Sequence, residues 1–212
     1  MTNRKEKSVL ERLIAINPEA EIWWDSSPII YDDWKQEVLK EIPAEDKEIV
    51  QKQLKRFYNP EDPQSMVFRG VTTNPSLSMA VFEIQKAYWE KFVDSLIDKN
   101  PHIDQERLFW MTYKEIVKRG AQMYMPLFEK SNYKNGYISA QVDPRYIEDR
   151  EKMLEQAYDL AKLSPNVMIK VPGTKEGYEV IKILTSKGIA TNNTLSFILP
   201  QFIVCALSLI HI

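Results

Sequence analysis

The sequence predicts an α/β fold: an incomplete (β/α)8 TIM barrel, with about strands one to five present and extra helices at the N-terminal end. Three observations carry that prediction. Strand-like and helix-like patterns alternate along the 212 residues, as they do where βα units build a parallel sheet. Polar residues recur where each predicted strand gives way to its loop, which is where such barrels gather their chemistry. The competing architecture, an open doubly wound sheet, lacks its usual support because no GxGxxG or GxxxxGK[ST] follows any strand.

Taken in order, a first helix over about Lys5 to Ala15 precedes strand one, "EIWWDSS". Trp34, Val38, Leu39 and Ile42 then recur at helical spacing, with Asp32 and Asp33 at the N-terminal end that favours acids. A charge-rich helix, "AEDKEIVQKQLKRFY", ends at the proline- and acid-rich turn "NPEDPQ". Strand two is "MVFRGV" and runs into "TTNPS"; one helix is expected over Leu77 to Lys99 and another over Arg107 to Phe128. Strand three is "GYISAQV", and Asp143-Pro144 after it reads as an N-cap acid with proline at the first helical position. Strand four, "NVMIKVP", is followed by a helix capped by Thr174 and ended at Gly188, and strand five starts at Ile189 and enters "TNNT".

Composition narrows the function classes. The formal net charge of −2 gives no electrostatic case for nucleic acid as a partner. A single cysteine, Cys205, forbids an internal disulfide, and two histidines with no Cys/His cluster argue against zinc or any other bound metal. The charged start "MTNRKEKSVLERL" lacks the apolar stretch of a signal peptide, so a cytoplasmic protein is expected. The uncharged run "LSFILPQFIVCALSLIHI" has the length of a membrane span, but Ser196, Pro200, Gln201 and Ser208 interrupt it and no basic residues flank it. A strand and helix start belonging to the core is expected there, with no membrane association.

The strand ends bring together Asp25, Asn74, Gln141, Lys170, Asn192 and Thr194. Each has an ordinary reading: Asp25 as a helix cap, Asn74 before Pro75 as a turn, Gln141 as a surface residue. Lys170 is harder to dismiss. Strand alternation puts it with Met168 on one face and Val167, Ile169 and Val171 on the other. The branched trio suits the helix layer, so the ammonium faces the barrel interior, where it is rarely tolerated unless a partner or solvent is within reach. Desolvation favours the neutral amine, which can condense with a ketone to a Schiff base whose iminium accepts electrons from a breaking carbon–carbon bond.

The blocks "GVTTNPSL", "ISAQVDPR", "MIKVPGTKEGYEVIKIL" and "GIATNNTLSF", preceded more weakly by "WWDSS", resemble the transaldolase family in order and spacing. The resemblance implies a barrel in which the lysine of strand four, here Lys170, forms a Schiff base with a ketose phosphate. Asp25 matches the strand-one aspartate that acts as base when the carbon–carbon bond breaks. Thr73 and Asn74 match the substrate-binding end of strand two, and Asn192 and Thr194 the polar pair around substrate and catalytic water. It further implies transfer of a dihydroxyacetone unit between sugar phosphates, in carbohydrate metabolism by the pentose phosphate route, without a cofactor; the oligomeric state is left open.

Two departures qualify the resemblance. Gln141 stands where typical members carry a glutamate, as in the fructose-6-phosphate aldolase branch, and an amide orients water but does not exchange a proton usefully near neutral pH. An aldolase-like lyase and a non-catalytic sugar-phosphate binder are therefore the alternatives. The chain also stops soon after strand five. Residues 1–206 are expected to be a partial barrel domain, and residues 207–212, "LSLIHI", to be a non-native tail resembling a translated sequencing adapter.

Overall fold

A computed structural model describes residues 6–210 of the chain. Its five strands are β1 (Ile22–Asp25), β2 (Phe68–Thr72), β3 (Tyr137–Gln141), β4 (Val167–Pro172) and β5 (Thr191–Thr194). All are parallel and lie side by side in the order β1-β2-β3-β4-β5. A doubly wound sheet would reverse its strand order at a switch point. This one never does, and it curls as an incomplete (β/α) barrel.

The helices are α1 (Val9–Ile16), α2 (Tyr31–Glu41), α3 (Lys47–Phe57), α4 (Pro75–Ile84), α5 (Lys86–Lys99), α6 (Gln105–Lys130), α7 (Arg150–Ala161), α8 (Lys175–Ser186) and α9 (Leu199–Ile210). α1 starts where Ser8 and Glu11 cap each other: Ser8 Oγ accepts from Glu11 N–H and Glu11 Oε2 from Ser8 N–H. Lys5, the expected first residue of that helix, lies outside the described residues. Leu10 and Ile14 of α1 reach a cluster built on Tyr31, Val67 and Phe68, to which α3 adds Phe57. The extra N-terminal helices thus cover the outer side of β1 and β2.

The main core lies between the outer face of the sheet and α6, α7 and α8. Val71, Ile138, Ala140, Val142, Val167, Ile169 and Val171 meet Val117, Ala121 and Leu127 of α6, Met153, Ala157 and Leu160 of α7, and Val180, Ile181 and Leu184 of α8. Truncating any one of the larger side chains in such packing costs about 2–5 kcal/mol. The predicted alternation in β4 is present: Val167, Ile169 and Val171 are buried on this side, while Met168 and Lys170 stand half-buried on the concave side.

β2 breaks the simple alternation. Ile22 pairs with Phe68 but Trp23 pairs with Gly70, so the register shifts by one residue at Arg69. This bulge lets Phe68 and Val71, three apart, both join outer apolar clusters, and it returns Gly70 and Thr72 to the concave side. Gly70 serves a close approach there, since a Cβ would sit 2.7 Å from the Trp23 ring.

Three expectations are corrected. The single helix over Leu77 to Lys99 is two, because Gln85 leaves helical geometry (φ −112°, ψ 39°) while its amide donates to Ile29 O and Asp33 Oδ2 in the β1–α2 region. Asp143-Pro144 opens only a 3-10 turn over Pro144–Tyr146, and α7 begins later behind Asp149. The Asp143 carboxylate accepts from the backbone and guanidinium of Arg145, and that local pairing closes the turn instead of starting a helix. The C-terminal run expected in the core forms α9, on which Leu199, Phe202, Ile203, Val204, Leu207 and Leu209 are exposed. No helix among the described residues is long and apolar enough to cross a membrane. Residues 207–210 continue α9, and 211–212 lie outside the described residues.

Candidate active site

The C-terminal ends of parallel strands expose backbone groups that the sheet no longer pairs, so side chains there face solvent while a rigid scaffold holds them. Lys170 occupies this position in β4. It pairs in register with Gln141 of β3 on one side and Asn192 of β5 on the other. Paired residues of parallel strands share a face, so the three side chains form a row across the concave side. Thr194, two residues beyond Asn192, continues the β5 end of that row and pairs with Pro172.

The Lys170 ammonium lies 3.4 Å from the Thr73 carbonyl, to which it donates. Burial lowers its proton affinity below the ordinary lysine range, and the carboxylate of Asp25 acts in the opposite direction. Asp25 ends β1 on the same side, exposed, and the Thr72 hydroxyl donates to its Oδ1 at 2.6 Å. That hydrogen bond fixes the direction of the carboxylate. The amine is thus half-buried against the sheet and keeps partial access to solvent.

The other predicted residues enter in different ways. Thr73 contributes its backbone carbonyl to Lys170, while its own hydroxyl is buried with no partner among the described residues. Asn74 caps α4: its Oδ1 accepts from Leu77 N–H at 2.8 Å, so only its NH2 is left to turn outward. Thr194 gives its carbonyl to Gly173 N–H at 2.7 Å, and its position depends on Gly173, where a Cβ would sit 2.3 Å from Ser196 Oγ.

Two residues escaped the sequence reading. Thr72 orients Asp25, and the signal for it was the register of two strand ends, which a linear sequence does not display. Ser139, fully buried two residues before Gln141 on the same face, carries a hydroxyl with no partner among the described residues. Among the described residues no group of three or more His, Cys, Asp and Glu is disposed to hold a metal ion. A cavity of about 760 Å³ lies elsewhere, between the start of α6 and α7, lined by Trp110, Arg145, Asp159 and Lys162 and by none of the predicted residues.

Comparison with known proteins adds to this geometry. The family described as "Transaldolase/Fructose-6-phosphate aldolase" matches residues 56–211, well over half of the chain. "Transaldolase 1" of Streptomyces avermitilis is 36% identical over 135 residues, 63% of this chain and 35% of that protein. "Transaldolase" of Thiobacillus denitrificans is 34% identical over 135 residues, 62% of this chain and 36% of the other. A Helicobacter pylori (strain Shi470) "Transaldolase" is 37% identical over 130 residues, 60% of this chain and 39% of its own. The match thus spans roughly a third of the length of these curated relatives.

Proposed function

The chain belongs to the transaldolase/fructose-6-phosphate aldolase family, and from that premise we propose that it carries the Schiff-base machinery for moving a dihydroxyacetone unit between sugar phosphates. The observation that carries the reading is Lys170: a half-buried amine whose charged form is disfavoured, flanked by a carboxylate and two amide side chains on the concave face.

In this reading the neutral Lys170 amine adds to the ketone carbon of a ketose phosphate, and loss of water gives the iminium. Asp25 takes the proton from the hydroxyl on the far carbon of the bond that breaks, the carbon that becomes the aldehyde. The electrons of that bond flow into the iminium, an aldehyde leaves, and an enamine remains on Lys170. Thr72 holds the Asp25 carboxylate toward its task. Gln141, beside Lys170 in the row, orients the water that leaves and returns, and Thr73, Asn74, Asn192 and Thr194 contact the substrate. Protein groups suffice for these steps, so neither metal nor cofactor is invoked. A cytoplasmic setting and the pentose phosphate pathway fit the substrate class. Residues 1–206 act as the barrel domain in this account, with 207–212 outside its chemistry.

The test uses the chain as it stands. Incubation with fructose 6-phosphate, borohydride reduction and peptide mapping should yield a stable secondary amine on Lys170, absent from Lys170→Met. No adduct at Lys170 overturns the proposal. Transfer to erythrose 4-phosphate identifies a transferase, and release of free dihydroxyacetone a lyase.

A further inference from the structure

We propose that Tyr113, a residue of the outer helix α6, is a positioning residue of this site: its hydroxyl replaces β2 in the ladder beside β3 and so holds Gln141 next to Lys170. The inference rests on the Schiff-base reading above for its kinetic consequence, though not for its geometry.

β3 alternates the direction of its backbone groups. Ile138 N–H donates to Asn166 O and Val142 N–H to Lys170 O, both on the β4 side. Gln141 N–H therefore turns the other way, toward β2. The pairing of β2 with β3 is limited to Gly70 with Tyr137 and Val71 with Ile138, so β2 offers Gln141 no partner. Tyr113 fills the gap: its hydroxyl accepts from Gln141 N–H at 2.8 Å and donates to Gln141 O at 3.3 Å. A single hydroxyl thus satisfies both backbone groups that a neighbouring strand would have taken.

The opening between the strands has a second effect. Thr72 O accepts from Ser26 N–H on the β1 side, so the next carbonyl, that of Thr73, faces the β3 side. With β3 already satisfied by Tyr113, that carbonyl remains for the Lys170 ammonium at 3.4 Å. Tyr113 itself is fixed: 2% exposed, its ring stacked parallel to Phe109 and tilted on Trp110. Burial pushes its proton affinity up, which keeps the hydroxyl neutral and able to give and accept at once. Tyr124, on the same helix and equally buried, has a hydroxyl with no partner among the described residues and supplies the internal control.

The experiment compares Tyr113→Phe and Tyr124→Phe in the full chain, each alone and combined with Gln141→Ala. Two quantities are read: amide hydrogen exchange at residue 141, and the rate of borohydride-trapped adduct formation at Lys170 with fructose 6-phosphate. Tyr113→Phe should speed Gln141 exchange and slow adduct formation by about tenfold, the scale of one lost hydrogen bond. Ile138 and Val142, which donate to β4, should exchange as before, showing that the fold is intact. With Gln141→Ala present, Tyr113→Phe should still speed exchange at residue 141, whose backbone groups remain. It should slow adduct formation no further, because the kinetic effect runs through the Gln141 side chain. Tyr124→Phe should move neither quantity. Unchanged exchange at Gln141, or equal slowing with and without the Gln141 side chain, overturns the proposal. Absence of any Lys170 adduct in the unsubstituted chain sinks the Schiff-base reading instead, and the exchange data still decide where Tyr113 acts.

Discussion

At Lys170 burial and charge oppose each other. Burial depresses the ammonium's proton affinity and Asp25 partly restores it, so the two residues set jointly the pH at which a neutral amine becomes available. Removing the carboxylate with Asp25→Asn should shift the midpoint of imine formation to lower pH, measured from trapping rates across pH, even as turnover falls. A midpoint that stays in place would exclude the carboxylate as its determinant. Stability follows the same logic. Between the depressed folded pKa and the ordinary lysine value the unfolded chain binds more protons, so stability rises with pH through that window, and the full cost is felt below it. Lys170→Met removes the cost and should stabilise the chain at neutral pH by about 1 kcal/mol, the usual exchange of function for stability. Urea titrations at neutral and alkaline pH would show the gain shrinking as pH rises.

Elements place these residues, and here the sequence was legible in part. The strand-four face of Lys170 could be read because Val167, Ile169 and Val171 mark the helix side so plainly. Asn74, Lys170 and Asn192 were likewise visible at strand ends. Contacts between strands were not: Thr72 on Asp25 and Tyr113 on Gln141 depend on register and on a helix 28 residues distant in sequence. Gln85 broke a helix for the sake of bonds to Ile29 and Asp33, which no local pattern announces. Two substitutions test the elements themselves. Asn74→Ala removes the α4 cap and should cost about 1 kcal/mol, seen as a lower denaturation midpoint. Gly70→Ala drives a methyl into the Trp23 ring and should cost about 1–3 kcal/mol, as overpacking does, with a change in tryptophan fluorescence because Trp23 must move.

Across the whole molecule, Phe197 and Leu199 are 80% and 70% exposed and adjoin the open apolar side of α9. β1 and β5 form the two edges of the sheet. Exposed apolar faces and open edges favour self-association, so the weight-average mass measured by light scattering should rise with protein concentration, and Phe202→Glu should lower it without altering the adduct at Lys170. The uniform direction of the strands has an electrical consequence of its own. Every helix that follows a strand begins along the same rim, and each start carries about half a positive charge from its aligned peptide dipoles. First-turn carboxylates offset that charge at α2 (Asp32 and Asp33), α7 (Glu151) and α8 (Glu176), whereas α4 and α9 begin with none. At α4 and α9 the positive end is therefore left to the backbone, and exchanging surface lysines for glutamates on the outer layer would alter colloidal behaviour without removing it.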